Sequence, residues 1–454
     1  MASLLSLSPE LTLSIIEQLR PENIEQPKFN DIERIDHDSD TYALVYASPR
    51  DGISLSRVCR VFRALTAPTR FRDIVLLNDE KSGSSVSTIL CSADARHVKT
   101  LHYVGIKPMS DEGEPLEGPS PDDFPDSVDS VLSSLSNFPD LDKVTIHFAC
   151  EKTWEEDHSN YQASYYLFEE PEDMQMVREA ENDEALRSLM KRSYAALSRN
   201  TAIDFKHLEL KNVVAKRCSA WWLEGFRALL GGLESFTINL RGGENGAGWQ
   251  INKLEGYLDF VSQLDTYFFK HLSNIKDFSF AATVDGPAEG LPLLVQHMPK
   301  LRSLSLEYVF ITGDLAAFIA AHGETLETIA FTNCYSMWPE NDYITWGDFF
   351  FGVAAKKPKA LLEFRISTSD VEQWNPGVET SWRHDGEKRI QRLRERFSCR
   401  RMFDYKHLDG KYGMVFDSLD RAADRFEAGS DHRGWTQVCE LMETNASTCR
   451  KRER

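Results

Sequence analysis

Short apolar triplets of the form φxxφxφ, in which φ is an apolar residue, recur along most of the chain. In each triplet a single residue separates the last two apolar residues, which is the alternation of a half-buried β-strand. The pattern predicts nine strands, at Phe71-Ile74-Leu76, Val98-Leu101-Tyr103, Leu141-Val144-Ile146, Phe205-Leu208-Leu210, Leu233-Phe236-Ile238, Ile275-Phe278-Phe280, Leu301-Leu304-Leu306, Leu326-Ile329-Phe331 and Leu361-Phe364-Ile366.

The regular spacing of the triplets is stronger evidence for these strands than the φxxφxφ pattern itself. A chain with 41% apolar residues gives about thirty such matches by chance. Four neighbouring pairs of triplets, however, have their middle apolar residues 27, 28, 26 and 25 residues apart. These intervals fall within the 20–29-residue period of leucine-rich repeats. The other intervals are 43, 64, 42 and 35 residues, so the repeats are irregular or interrupted.

Helical patterns lie between the predicted strands. Residues 312–322 place Leu315, Phe318, Ile319 and His322 on one face, with Gly323 as a C-terminal stop. Residues 254–272 carry apolar residues at the same helical spacing and predict helical structure rather than another strand. Strands of about six residues that alternate with helices predict an α/β fold, in which the units stack into a curved, right-handed solenoid with a parallel sheet.

The N-terminal segment predicts short helices. Ser8 is a good N-cap and Pro9 fits the first helical position, and residues 11–19 then carry one apolar stripe. A second amphipathic helix begins near Ser54 and ends at Pro68, which opens a short third helix. Three short helices cannot bury all their apolar faces against each other, so the surplus meets the rest of the chain or another protein.

Three segments of this region resemble a known family. Residues 7–19 (LSPELTLSIIEQL) look like the opening helix of an F-box, and residues 55–65 (LSRVCRVFRAL) are similar to its second signature. Residues 66–76 (TAPTRFRDIVL) continue like the exit of that motif. Residues 301–309 and 326–334 in turn resemble leucine-rich repeats. The chain as a whole therefore resembles fungal-type F-box proteins that carry a C-terminal leucine-rich-repeat-like domain.

The resemblance implies a substrate-recognition subunit of an SCF-type (cullin-RING) E3 ubiquitin ligase. In such a protein the F-box binds the Skp-type adaptor of the cullin ligase core, and the repeat domain binds a protein substrate whose identity the sequence does not reveal. By resemblance, the residues that contact the Skp adaptor are Leu7, Pro9, Glu10, Leu11, Ile15, Leu19, Leu55, Val58, Cys59 and Phe62.

Three domains follow from these patterns, giving an α+β chain overall. We expect a three-helix F-box-like domain at 1–76, an irregular leucine-rich-repeat-like solenoid with flanking helices at 77–380, and a helical cap with a basic tail at 381–454. The F-box departs from its family because residues 20–51, with a net charge of −4, separate its first two helices. Residues 383–401 carry a net charge of +5 and apolar residues at helical spacing, which predicts a terminal capping helix.

Composition and charge argue against several classes of function. A net charge of −19 argues against general nucleic-acid binding, which requires a basic surface. We expect no membrane span, because no stretch approaches about 18 uncharged apolar residues. The start MASLLSLSPELTL lacks the basic segment of a secretory signal. With 8 Cys and no CxxC pair, the sequence predicts reduced thiols, no metal or other cofactor, and a location in the cytoplasm or nucleus.

Three functions stay open from the sequence alone. No HExxH, GxSxG or Walker motif is present, so we predict no catalytic residues and a non-enzymatic adaptor. A repeat scaffold without a ligase role, and an enzyme with an unrecognised site, are the alternatives. The side chains expected on the exposed strand face are mixed in charge and indicate no ligand class: Arg302, Ser303, Ser305, Glu327, Thr328, Glu363 and Arg365.

Overall fold

A computed structural model describes most of the chain beyond the first F-box-like signature. The described residues are 57, 60–106, 119–149, 173–200, 205–242, 250–284, 286–338, 344–368 and 381–452. Of the residues predicted to contact the Skp adaptor, Phe62 is among them. The others, and the insertion at 20–51, lie outside the described residues: Leu7, Pro9, Glu10, Leu11, Ile15, Leu19, Leu55, Val58 and Cys59.

The described residues form twelve strands. They are β1 (Asp73–Leu77), β2 (Thr100–Ile106), β3 (Lys143–Ala149), β4 (His207–Val213), β5 (Ser235–Leu240), β6 (Asp277–Ala281), β7 (Ser303–Glu307), β8 (Thr328–Thr332), β9 (Ser336–Trp338), β10 (Glu363–Ser367), β11 (Tyr405–Leu408) and β12 (Val415–Asp417). Nine of these form a parallel sheet in the order β1-β2-β3-β4-β5-β6-β7-β8-β10, and β12-β11-β9 form a second sheet.

Thirteen helices accompany these strands within the described residues. They are α1 (Arg60–Arg70), α2 (Glu80–Leu90), α3 (Asp126–Leu132), α4 (Met174–Asp183), α5 (Ala185–Ser198), α6 (Glu224–Gly232), α7 (Glu255–Ser262), α8 (Leu264–Tyr267), α9 (Gly313–Ala321), α10 (Trp346–Ala355), α11 (Ser381–Arg396), α12 (Leu419–Ala428) and α13 (Ser430–Arg452). None of them is long and apolar enough to cross a membrane.

The chain divides into two compact units. Among the described residues, the first unit holds 60–149, 173–211 and 218–229, and the second holds 212–217 and 230–452, with the gaps given above. The first unit therefore contains β1 to β3 and most of β4, and the second contains β5 to β12.

All nine apolar triplets lie at strands of the parallel sheet, which confirms the mixed α/β prediction. Their middle residues pair directly across neighbouring strands. In the first unit the row is Ile74, Leu101, Val144 and Leu208, and in the second it is Phe236, Phe278, Leu304, Ile329 and Phe364. Each of these side chains is buried, so the triplets act as stacked layers of one apolar face within each unit.

Aromatic side chains join that face to the helices within each unit. In the first unit the ring of Phe148 on β3 lies 5.7 Å from that of Tyr194 on α5. In the second, Phe331 on β8 lies 5.9 Å from Phe349 on α10. The apolar strand face is thus covered by helices, which accounts for its burial, and the opposite strand face carries the polar residues.

A turn with left-handed backbone recurs at the end of three strands. Asn212, Tyr308 and Asn333 have φ values of 53°, 53° and 49°, each four residues after the middle apolar residue of its triplet. Asparagine tolerates this region better than most residues, whereas tyrosine adopts it rarely. Because the same backbone recurs at the same position, the turn is part of the repeat.

The helix α1 extends beyond its predicted end. The sequence predicts that Pro68 ends this helix and opens another, but α1 runs from Arg60 to Arg70 with Pro68 inside its last turn. The Phe71 N–H donates to the Ala67 carbonyl at 3.0 Å, so the helical hydrogen bonding continues past the proline. Pro68 removes one helical hydrogen bond, because it has no N–H to donate, and this loss lies close to the end of the helix. The predicted short third helix is therefore wrong.

The helical pattern at 254–272 is confirmed, but the segment does not form a single helix. The segment contains α7, α8 and a 3₁₀ turn at Phe269–His271. Its consecutive residues Tyr267, Phe268 and Phe269 are all buried, which a straight helix with one buried face cannot achieve. Phe268 leaves the helical region, with φ −131° and ψ −62°, and the chain bends there. The helix predicted at 312–322, by contrast, is confirmed as α9 with Thr312 as its N-cap.

The last helices lie against the last repeat of the second unit. The predicted helix at 383–401 is present as α11, and its Ile390 and Leu393 pack against Phe426 of α12. On α13, Asn445 Nδ2 donates to the carbonyls of Pro358 and Leu361, at 2.7 and 2.9 Å, directly before β10. On the same helix the ring of Trp435 lies 5.6 Å from that of Phe364 on β10, so α13 covers part of the apolar face of this strand.

Glycine lets α13 approach α10 closely. A Cβ at Gly434 would lie 3.0 Å from the Gly347 carbonyl oxygen. Buried Asp431, at the start of α13, accepts from the Gly347 N–H at 2.9 Å, from Tyr405 Oη at 2.8 Å and from Arg425 Nη2 at 3.0 Å. The carboxylate is therefore fully engaged in holding these elements together.

Candidate functional site on the polar face of the sheet

In the second unit the strand face opposite the helices carries the polar residues of the strands. In β5, β6, β7 and β8 buried residues alternate with partly or fully exposed ones, as expected for a sheet with one covered face. The predicted exposed residues of the strands lie at these polar positions: Ser303, Ser305, Thr328, Glu363 and Arg365. Arg302 and Glu327 lie one residue before β7 and β8. Arg302 Nη1 is 3.9 Å from Glu327 Oε1.

In the first unit this face carries a group that we call the lysine–glutamate cluster, formed by Lys143 and Thr145 on β3 and by Glu209 and Lys211 on β4. Glu209 Oε2 lies 2.6 Å from Lys143 Nζ, and Glu209 Oε1 lies 3.5 Å from Lys211 Nζ. Thr145 Oγ1 also donates to Glu209 Oε2, at 3.3 Å. The pairing of β3 with β4 places Thr145 directly opposite Glu209, so the register assembles the cluster.

Electrostatics within the cluster follow from these contacts. Burial alone would raise the pKa of Glu209, but Lys211 and Lys143 outweigh it and lower that pKa. Buried His102 on β2 has its pKa lowered to about 4, chiefly by burial and then by Lys211, while Asp73 acts in the opposite direction. At neutral pH the cluster therefore holds the Glu209 carboxylate between two lysines, and the His102 imidazole is uncharged.

The chemistry open to this cluster is limited. The Glu209 carboxylate already accepts from three donors and its pKa is low, so it is a poor general base. Throughout the described ranges, no three His, Cys, Asp or Glu side chains are grouped to hold a metal ion. The arrangement is that of a charge network which links β3 to β4.

In the second unit the same face is lined by small side chains, and we call it the hydroxyl face. Its central row pairs Thr237, Ser279, Ser305 and Ala330 across β5 to β8, and the next row pairs Asn239, Ala281, Glu307 and Thr332. None of these except Glu307 carries a charge. These two rows therefore form a low surface of mostly uncharged side chains, with the Glu307 carboxylate as their one charge.

Glu307 differs from Glu209 in its surroundings. It is partly buried at the end of β7, between Ala281 of β6 and Thr332 of β8. Burial raises the pKa of its carboxyl, and no charge among the described residues opposes that effect. The carboxylate is accordingly a partly buried acceptor that the described part of the chain leaves without a counter-ion.

The buried thiols of the repeats do not form a nucleophilic site. Cys334 Sγ donates to the Leu306 carbonyl of the preceding repeat at 3.4 Å, and burial raises its pKa to about 12. Burial likewise raises the pKa of the Cys218 thiol. A thiol that stays protonated at neutral pH is a structural donor, because the thiolate is the reactive form.

The sequence pattern missed both Glu307 and the lysine–glutamate cluster. Glu307 continues the alternation of Ser303 and Ser305, so the sequence could have placed it on the polar face. The sequence could not have shown that no cation lies next to it. Lys143 and Glu209 are separated by one of the long irregular intervals, and only the register of β3 and β4 brings them together. No known protein-family model matches the chain, and no curated protein is significantly similar to it.

Proposed function

We propose that the chain is a substrate-recognition subunit of a cullin-type ubiquitin ligase, without catalysis of its own. Residues 7–19 and 55–76, which resemble an F-box, would bind the Skp-type adaptor. The polar face of the sheet would bind the protein substrate. The observation that carries the proposal is the repetition of strands in register, with one face covered by helices and the other left polar.

The repeats are proposed to form an irregular leucine-rich-repeat solenoid. Support comes from the layers of triplet residues, from the recurring left-handed turn, and from Cys334 bonding to the preceding repeat. The leucine-rich-repeat pattern places asparagine or cysteine at that position of the motif. A solenoid of this kind offers an extended surface suited to a protein partner.

The proposed mechanism is proximity. A subunit that holds the ligase core at one end and a substrate on its sheet face raises the effective concentration of substrate lysines near the ubiquitin-loading enzyme. No bond is made or broken by the chain itself. Activity would therefore depend on two separable binding surfaces.

The first experiment tests the adaptor surface. We expect the intact chain to co-purify with a Skp-type adaptor, and the combined Pro9→Ala, Leu11→Asp and Val58→Asp variant to lose it. Val295→Asp is the matched control, because Val295 is a comparably apolar side chain that is 54% exposed in the second unit. Adaptor binding by a triple variant with unchanged thermal unfolding contradicts the proposed interface.

A truncation separates ligase components from substrates. Removal of residues 1–59 preserves α1 and β1, whereas removal of 1–76 would delete most of β1. Partners lost on the shorter deletion are expected to be ligase components, and partners retained are substrate candidates. If the intact chain captures protein partners but no Skp-type adaptor, a repeat scaffold without a ligase role replaces the present proposal.

A further inference from the structure

We propose that Glu307 anchors a basic side chain, lysine or arginine, of the protein that binds the hydroxyl face. The inference rests on the proposed function in one respect, namely that this face receives a protein. It goes beyond that function by naming the chemistry of the partner and the residue that recognises it.

The Glu307 carboxylate lacks a counter-charge within the described residues. A charged group removed from water is costly unless a counter-charge or hydrogen bonds replace the lost hydration. Glu209 has that compensation from Lys143 and Lys211, whereas Glu307 has no ion pair within the described residues. A cation supplied by a partner would restore the balance, so the site is complementary to a positive charge.

The small neighbours of Glu307 give a ligand side chain room to reach it. The residues in register on either side are Ala281 and Thr332, and Ser305 precedes it on the same strand face. No long side chain from these positions folds over the carboxylate. The extended stems of lysine and arginine can lie along such a surface while the charged group meets the carboxylate.

The charge of the surrounding face also favours a basic partner. Within the described strands of this unit, the one cation at a polar position of the sheet is Arg365, and it donates from Nη2 to Glu363 Oε2 at 2.8 Å. Asp277 adds a second carboxylate to the face. The hydroxyl face is therefore acidic, as is the chain, whose net charge is −19. Complementary charge both orients a basic partner and speeds its encounter.

A metal ion is a weaker candidate for the same carboxylate. Calcium and magnesium take several oxygen ligands, usually including more than one carboxylate. Among the described residues no group of three or more metal-ligating side chains is present. One carboxylate is sufficient for a lysine or arginine and insufficient for these metals.

Two peptide sets that differ only in charge test the proposal. One set of nonapeptides carries arginine or lysine at its centre, with varied flanking residues, and the matched set carries citrulline or acetyl-lysine. We expect the intact chain to bind the charged set preferentially, and Glu307→Gln to lose that preference about tenfold. Glu307→Lys should reverse it, favouring peptides with a central aspartate or glutamate.

Asp277→Asn is the matched control, because it removes an exposed carboxylate from the same face. It should keep the preference within about twofold, since exposed charges contribute little. Equal binding of the two sets by the intact chain, binding of neither, or an undiminished preference in Glu307→Gln overturns the proposal. Skp-adaptor capture is scored separately, so a chain that selects basic peptides without binding the adaptor keeps this inference and loses the ligase role.

Discussion

Glu209 and Glu307 lie on the same face of the same kind of parallel strand, yet their environments are opposite. Glu209, in the first unit, is held by two lysines and a threonine, and its pKa is lowered. Glu307, in the second unit, has alanine and threonine beside it, and its pKa is raised. The neighbouring strand residues therefore decide whether a carboxylate on this scaffold stabilises the protein or stays available to a partner.

The comparison separates a structural role from a recognition role. In the lysine–glutamate cluster the Glu209 carboxylate is held by two lysines and a threonine, so a ligand would have to displace existing contacts to bind it. The hydroxyl face has few internal contacts to lose. Its carboxylate costs stability in the free protein, which is common where a surface is shaped for binding. Measurements of stability can therefore test the distinction before any partner is known.

The largest expected effect is acid sensitivity of the first unit through His102. Its pKa is about 4 in the folded chain against 6.5 ordinarily, so between these values the unfolded chain takes up the proton more readily. The unfolding free energy should fall as the pH drops from 6.5 to 4, by about 3 kcal/mol at most. Denaturant titrations across this range measure it.

His102→Gln should remove most of that pH dependence, because glutamine does not titrate. His207→Gln is the control, since His207 belongs to the same face but its side chain is 38% exposed. The charges that act on His102 are Lys211, Lys143, Asp73 and Glu209, and all four are unchanged in both variants. An identical pH slope in His102→Gln and the intact chain would exclude His102 as the source.

The second-largest effect is a loss of stability when the lysine–glutamate cluster loses its carboxylate. Glu209→Gln should lower the unfolding free energy by about 2 kcal/mol at pH 7, because it leaves two lysines facing each other in a partly buried position. Lys99 and Asp140 form the matched exposed pair, at 3.1 Å with side chains about half exposed, and Lys99→Met should cost about 0.5 kcal/mol or less. Thermal or chemical unfolding compares the two, and equal losses would contradict a special role for Glu209.

The sequence predicted the strands of both regions better than their helices. Apolar alternation located all nine strands of the parallel sheet, because each triplet is both a local strand signal and a layer of the core. The helical segment at 254–272 is divided into α7, α8 and a 3₁₀ turn, because buried aromatic residues such as Phe268 and Phe269 occupy more than one side of it. Tertiary burial there overrides the local periodicity.

The site was less predictable than the fold. Alternation places Ser303 and Ser305 on the polar face, and the same rule extends to Glu307 and Glu209. Which carboxylate has a counter-ion depends on the strand next to it, and that strand can be 64 residues away along the chain. Register across such an interval is not encoded in any local pattern.

The smallest expected change in stability, that of Glu307→Gln, distinguishes the hydroxyl face most clearly from the lysine–glutamate cluster. Glu307→Gln should raise the unfolding free energy at pH 7 by about 0.5 kcal/mol, a value kept small by solvent screening at a partly exposed position. The sign follows from the raised pKa: the ionised carboxyl costs the folded chain stability once the pH exceeds the ordinary value of 4.5. The gain should accordingly vanish near pH 4, where the carboxyl is protonated in both states.

Differential unfolding of Glu307→Gln and Glu209→Gln at pH 7 and pH 4 measures the contrast directly. The same substitution should stabilise the chain at one position and destabilise it at the other, although both residues occupy one face of parallel strands. A loss of stability in Glu307→Gln at pH 7 would mean that the carboxylate has an internal partner after all. Because the variant is also expected to lose its preference for basic peptides, a gain in stability together with a loss of binding would identify Glu307 as a residue held for recognition.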